Sequence, residues 1–206
     1  MSGVPNIDRQ AARRTKTSEE IVAAAWVLAR EEGLTGIAMR DLGARVGMRA
    51  QSLYSYFSSK HEIYDAMFLD GYLAFADMVE TGAAAAVDSD PETILKRAAR
   101  EFVTFCTSDP ARYQLLFHRA VPGFEPSPAS WNVALAAYER SRESLSAAGI
   151  TDQASFDIWT ALVTGLAGQQ IANDPGGDRW ERLVDRSVDM FRAHIRENAR
   201  SESEHA

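Results

Sequence analysis

The 206-residue chain has one cysteine, Cys106, so no disulfide can form within it. Cys106 follows the apolar run Phe102-Val-Thr-Phe105, where a packed thiol is expected rather than a reactive one. The four histidines are scattered, and no Cys/His cluster has metal-site spacing, so neither a metal nor a cofactor is expected. No nucleophile–base pair, carboxylate cluster or Glu-x-x-His set stands out, so no catalytic residues are nominated and the chain is not expected to be an enzyme. Nowhere do about 18 apolar residues run uninterrupted, which argues against a membrane span, and the first residues lack the apolar run of a signal peptide. A cytoplasmic setting follows as an expectation. Strand-like alternation is scarce and no internal repeat is visible, which points to an all-α fold.

What is present is helical periodicity interrupted by clear breakers. A long helix is expected from about Lys60 to Ala86, then others at about 91–107, 110–117, 128–148, 153–173 and 178–198. Asp88-Ser-Asp-Pro and Asp174-Pro-Gly-Gly separate helices, and Val121-Pro-Gly-Phe-Glu-Pro-Ser-Pro is the clearest loop. The expected layout is about nine helices, with a three-helix head and a helical body. Its segments are a basic arm at 1–16, a helix-turn-helix at 17–60, a body at 61–199 and a polar tail at 200–206.

The stretch from Ala38 to Lys60 carries the most information. Leu42 and Val46 lie four apart, Gly47 falls where the chain must reverse, and Leu53 and Phe57 lie four apart beyond it. Each short helix therefore offers one apolar stripe to the other, and glycine accepts the left-handed backbone of such a turn. The remaining residues, Arg49, Gln51, Ser52, Tyr54, Ser55 and Tyr56, are nearly all hydrogen-bond donors. A short helix burying its leucine while presenting donors suits an anion-lined groove, as in a helix-turn-helix. The rival is an ordinary polar hairpin.

The formal charge of −7 opposes a nucleic-acid partner only on average. Residues 1–60 contain nine Lys/Arg and six Asp/Glu, a formal +3, which leaves −10 for the remainder. Charges are screened beyond roughly 8 Å at physiological salt, so the local field of the head is what matters.

The chain resembles the TetR family of bacterial transcriptional regulators over about residues 15–65. The resemblance rests on Thr17-Ser18 before Ile21–Ala29, Gly33-Leu-Thr35, Met39-Arg-Asp-Leu-Gly43, Val46-Gly47 and, most specifically, Leu53-Tyr-Ser-Tyr-Phe-Ser-Ser-Lys60. Ala38 departs from the threonine usual there, a loss of roughly 1 kcal/mol of N-cap stability. Asp109–Phe117 followed by Pro122-Gly-Phe resembles one recurring C-terminal domain of the family.

Several expectations follow from the resemblance. The partner is double-stranded DNA, a palindromic operator read by a homodimer, and the function is most often repression released by a small-molecule effector. Arg49, Ala50, Gln51 and Ser52 lie where side chains reach base edges. Arg40, Tyr54, Tyr56 and Lys60 match positions that hold phosphates, while Arg13, Arg14 and Lys16 follow the backbone or enter the minor groove. Candidate effector contacts are Phe102, Phe105, Tyr113, Phe117, His118, Trp131 and Tyr138, with plain core packing as the alternative. Trp159, Leu162, Val163, Leu166, Phe191 and Ile195 form apolar faces assigned to the dimer contact. The competing function is a ligand-binding or protein-docking helical module without a DNA role.

Overall fold

A computed structural model describes the backbone of residues 6–86 and 88–204, and the side chains of 9–86 and 88–197. Among these residues there are nine α-helices, two 3-10 turns and no strand. The helices are α1 (Asn6–Glu32), α2 (Met39–Arg45), α3 (Ala50–Leu53), α4 (Lys60–Ala85), α5 (Pro91–Thr107), α6 (Pro110–Phe117), α7 (Pro128–Ser146), α8 (Gln153–Asn173) and α9 (Val184–Glu204). The 3-10 turns are Leu34–Gly36 and Glu181–Leu183.

Two compact units result, and their boundary does not follow the one expected at residue 60. The first runs up to Gly71 and takes in Ala111–Trp131, while the second comprises Tyr72–Pro110 and the chain from Asn132 onward. The unbroken helix α4 therefore contributes to both.

In the first unit, Ile21, Ala25 and Leu28 recur along one face of α1 and are buried with Leu34, Ile37, Leu42, Leu53, Ile63 and Met67. Full burial of each leucine or isoleucine is worth about 1.5–3 kcal/mol. Polar groups inside this core are matched. The Tyr64 hydroxyl donates to the Leu34 carbonyl at 2.6 Å, and the Trp26 indole N–H donates to Asp70 at 2.8 Å. The Phe124 ring lies 5.8 Å from Tyr64, which seats the Pro/Gly loop against α4. Asp65 accepts from the Ser127 N–H at 2.7 Å and from the Ser130 hydroxyl at 3.0 Å, fixing the start of α7.

The second unit is built on the apolar face of α5, where Ile94, Leu95, Ala99, Val103, Phe105 and Cys106 are buried. Phe75 meets Phe102 and Phe105 edge-on, with centroids 6.1 and 5.6 Å apart. Pro91 occupies the first turn of α5, and Asp90 caps it by accepting from the Glu92 and Thr93 N–H groups at 2.9 and 3.2 Å. Charged pairs rim the α5–α9 contact. Lys96 lies 2.7 Å from Glu92 and 2.8 Å from Asp189, and Arg192 pairs with Glu92.

Four local expectations are corrected. The basic arm expected at 1–16 is not separate from the first helix: from Asn6 it forms the first turns of α1, and residues 1–5 lie outside the described residues. Ala, Gln, Arg and Lys have good helix propensity, and a helix needs no apolar stripe where nothing packs on it. Ser18, expected at a helix start, lies inside α1 and donates to the Arg14 carbonyl at 3.1 Å. The final helix starts at Val184 rather than near Asp178 because the buried Gln170 holds the preceding backbone. Its Oε1 accepts from the Trp180 and Glu181 N–H groups at 2.7 and 3.3 Å. Residues 200–204 of the expected tail continue α9, and 205–206 lie outside the described residues.

The start of α4 is fastened by charge. Ser59 accepts from the Glu62 N–H at 3.2 Å, and the Glu62 carboxylate accepts from both the hydroxyl and the N–H of Ser58, the latter at 2.6 Å. These bonds, the Ser58 hydroxyl foremost, hold the Glu62 carboxyl below its ordinary 4.5. A depressed carboxylate contributes stability that is present above 4.5 and lost as pH falls through the folded value. Glu62→Gln should therefore be less stable than wild type in urea at pH 7, and the gap should close as pH drops below 4.5.

Candidate nucleic-acid interface

The helix-turn-helix is assembled from α2, the turn at residues 46–49 and α3. Leu42 and Leu53 are fully buried on either side of the turn, so the two short helices hold each other through their apolar residues. Gly47 adopts φ +70°, a conformation costly for a residue with a Cβ. Gly43 serves a different purpose. Its carbonyl accepts from the Met48 N–H at 2.8 Å, and a Cβ added there would lie 2.7 Å from the Met48 carbonyl oxygen and 3.1 Å from the Ala50 nitrogen. The turn therefore crosses the helix at a distance only glycine permits.

The second helix is shorter than its sequence suggests. It ends at Leu53, and residues 54–56 form a turn in which the Ser55 hydroxyl donates to the Ser52 carbonyl at 2.7 Å. Such a local bond competes with the helical ladder. Arg49 is the N-cap residue, with extended backbone, and its carbonyl accepts from the Ser52 N–H at 2.8 Å. Ala38 likewise caps α2 without a side-chain bond.

This framework leaves Arg49, Gln51 and Ser52 exposed together at the start of α3, with Ala50 half-buried among them. Tyr54 is 53% exposed, so its ring does not pack within the head. Arg40 is 88% exposed and lies 3.1 Å from Asp41. The remaining basic residues divide. Arg13 and Lys16 are exposed on the extended α1. Arg14 instead donates to the Ser55 carbonyl at 2.6 Å, and its guanidinium lies 5.3 Å from the Tyr56 ring centre. Lys60 donates to the Thr35 carbonyl at 3.1 Å over the ring of Tyr64. Arg13 and Lys16 are thus carried on a helix, residues 6–16 being part of α1.

The sequence reading missed two contributors here. Arg45 forms a two-pronged pair with Glu31, bracing α2 on α1, and spacing alone gives no signal for a pair 14 residues apart. Glu62 was legible as the last residue of Ser59-x-x-Glu62, a capping-box pattern.

The expected effector residues do not form one cluster within either unit. Phe102, Phe105 and Tyr138 belong to the second unit, and Tyr113, Phe117, His118 and Trp131 to the first. Phe102 and Phe105 pack on Phe75, and Tyr138 lies 5.0 Å from Phe156 and bonds to Gln153. Tyr113 lies against Phe117 and His118, and Trp131 is 47% exposed. A cleft of about 260 Å³ in the second unit, lined by Thr104, Thr107, Gln170, Ile171 and Glu181 among others, includes none of them.

The expected dimer residues are also redistributed. Trp159, Val163, Leu166 and Phe191 are buried within the second unit, with the Trp159 and Phe191 rings 5.5 Å apart. Leu162 and Ile195 are half-buried. Among the exposed residues of α8, Ile158, Ala161 and Gly165 form a small, apolar stripe at i, i+3 and i+7, and a Cβ on Gly165 would meet nothing within 4 Å. On α9 the outward apolar residue is Met190, 68% exposed.

Among the described residues no helix is long and apolar enough to cross a membrane. An all-helical chain with a glycine-turned helix pair and outward donors is a helix-turn-helix protein. Comparison with known proteins gives the same class. The family of bacterial regulatory proteins, tetR family, matches residues 21–67. The chain is 29% identical over 123 residues to the HTH-type transcriptional regulator Rv1816 of Mycobacterium tuberculosis, covering 56% of this chain and 51% of that protein. It is 24% identical over 174 residues to the HTH-type transcriptional repressor Rv1353c of the same organism, covering 83% and 62%. The matches thus span about half to three-fifths of these relatives' lengths. The structure of the transcriptional regulator FadR from Bacillus subtilis in complex with stearoyl-CoA shares the fold, with a TM-score of 0.65 at 14% identity over 84% of this chain and 96% of that one. Over residues 21–67 the chain is thus similar to the tetR family of bacterial regulatory proteins.

Gly43→Ala should destabilise the head, because the new Cβ meets backbone rather than a movable side chain. A loss of about 1–3 kcal/mol, the usual range for overpacking, is expected in urea unfolding followed at the head.

Proposed function

We propose that the chain is a DNA-binding transcriptional regulator, a repressor that binds a palindromic operator as a homodimer in the cytoplasm and releases it on binding a small molecule. The observation that carries this reading is the joint exposure of Arg49, Gln51 and Ser52 at the start of a helix whose other side is anchored by the buried Leu53. Arginine pairs with guanine O6/N7 and glutamine with adenine N6/N7 in the major groove. Arg40, Tyr54, Arg13 and Lys16 are the phosphate contacts that set register. The family match over residues 21–67 and the relatives named as regulators and a repressor support the same assignment.

A dimer supplies the second half-site, about 34–36 Å away or a multiple of that. The outward stripe of Ile158, Ala161 and Gly165 on α8, with Met190 on α9, is the surface proposed to meet a second copy. The complex of FadR with stearoyl-CoA is a precedent for a small molecule bound to a regulator of this fold. For this chain a ligand releases DNA only if it binds the off-DNA conformation more tightly, by about 1.4 kcal/mol for each tenfold loss of operator affinity.

Selection of binding sites from random duplexes, followed by mobility shifts across salt, tests the reading. A palindrome should be enriched. Arg49→Ala should lose about 1–3 kcal/mol of discrimination at one base pair. Arg40→Ala should weaken all sequences alike and reduce the salt slope by about 0.9. Enrichment of no duplex would favour the docking module instead.

Gly165→Arg separates dimerisation from folding. The site is open in one copy and arginine has better helix propensity than glycine, so the monomer should fold undiminished. Sedimentation should then show a monomer, and a dimer of wild-type strength would remove α8 from the interface.

A further inference from the structure

The sequence groups Arg13, Arg14 and Lys16 as one basic cluster, but the structure separates Arg14 from the other two. Arg13 and Lys16 are exposed on α1. Arg14 is also exposed, yet its guanidinium is engaged across 41 residues of sequence. Its Nη2 donates to the Ser55 carbonyl at 2.6 Å, and the same group lies 5.3 Å from the Tyr56 ring centre.

That carbonyl lies two residues past the end of α3, outside the helical ladder. A cation there gives it a charge-assisted hydrogen bond. That bond matters because α3 has only four residues and its following turn is held by short-range bonds, Ser55 to Ser52 and Tyr56 to Leu53. Stacking on Tyr56 fixes, from the same guanidinium, the ring of a residue expected on a phosphate. One side chain thus constrains the far end of the reading helix and an aromatic beside it.

We infer that Arg14 is a positioning residue for the DNA-reading hairpin, acting through the Ser55 carbonyl and the Tyr56 ring and not through a phosphate. This rests on the DNA-binding function proposed above. Arg14 couples the N-terminal extension of α1 to α3, so the extension orders the reading element instead of only adding charge to it. Lysine at position 14 would keep the charge but lose the planar group that bonds and stacks at once.

The test uses full-length wild type, Arg14→Ala, Arg14→Lys and, for comparison, Arg13→Ala. Affinity for the selected palindrome is measured across salt, alongside melting temperature and amide exchange at Ser55–Phe57 in the DNA-free protein. The expected result is about tenfold weaker binding by Arg14→Ala, the size of one charge-assisted hydrogen bond at the lower end of its range. Its salt slope should equal that of wild type, and Arg14→Lys should be weakened nearly as much. Exchange at Ser55–Phe57 should quicken in both with the melting temperature little changed, whereas Arg13→Ala should lower the slope by about 0.9 and leave exchange alone. A slope lowered by about 0.9 in Arg14→Ala, wild-type binding by Arg14→Lys, or unchanged exchange overturns the positioning role. Wild type that retards no duplex overturns the DNA-binding reading itself, a separate outcome.

Discussion

The burial of Leu53 is the contact on which the reading surface depends. A helix of four residues has a single turn and does not persist in water on its own, because nucleation is costly and nothing follows to offset it. Leu53 anchors that turn from below, Gly43 lets the preceding turn cross α2 at van der Waals distance, and the Arg14–Ser55 bond closes its far end. The exposed donors are therefore presented by a scaffold whose order is tertiary throughout. Preorganisation of this kind reduces the entropy lost on binding, since the side chains start near their bound positions.

Charge is distributed to the same effect. The head carries the positive excess, and several of its cations are braced rather than free: Arg45 on Glu31, Lys60 on the Thr35 carbonyl and Arg14 on Ser55. In the second unit cations are answered by carboxylates along α5 and α9. Isolated surface pairs contribute about 0–1 kcal/mol, but Lys96 shared between Glu92 and Asp189, with Arg192 also on Glu92, is a network in which each side chain is ordered by more than one partner. The formal −10 of residues 61–206 gives the remainder of the chain a field opposite in sign to that of the head.

The sequence is informative wherever a residue's role is local. The spacing of Leu42, Val46, Leu53 and Phe57 locates the helix pair, Gly47 its turn, and Asp90-Pro91 the start of α5. It is poor at telling how many layers cover an apolar face. Trp159, Val163, Leu166 and Phe191 have the periodicity of an interface, yet α8 and α9 bury them against each other and α5, and the outward stripe is a weaker one of Ile158, Ala161 and Gly165. Propensity alone does not fix where polar helices begin, which is why α1 starts at Asn6 instead of near Thr17. The aromatic middle of the chain was legible as apolar, but ring-to-ring packing within each unit cannot be derived from spacing.

The pairs that close the second unit have a consequence for how the chain acquires its structure. Arg100 with Asp185 and Glu92 with Arg192 join positions 85 and 100 residues apart, while the helix pair of the head is complete within about 20 residues. Loop-closure entropy must be met before such distant contacts form, and chains generally order their earlier parts first during synthesis. The head hairpin can therefore form early on the ribosome, whereas the apolar face of α5 stays uncovered until α9 has emerged. During that interval Ile94, Leu95 and Val103 are the residues most in need of shielding.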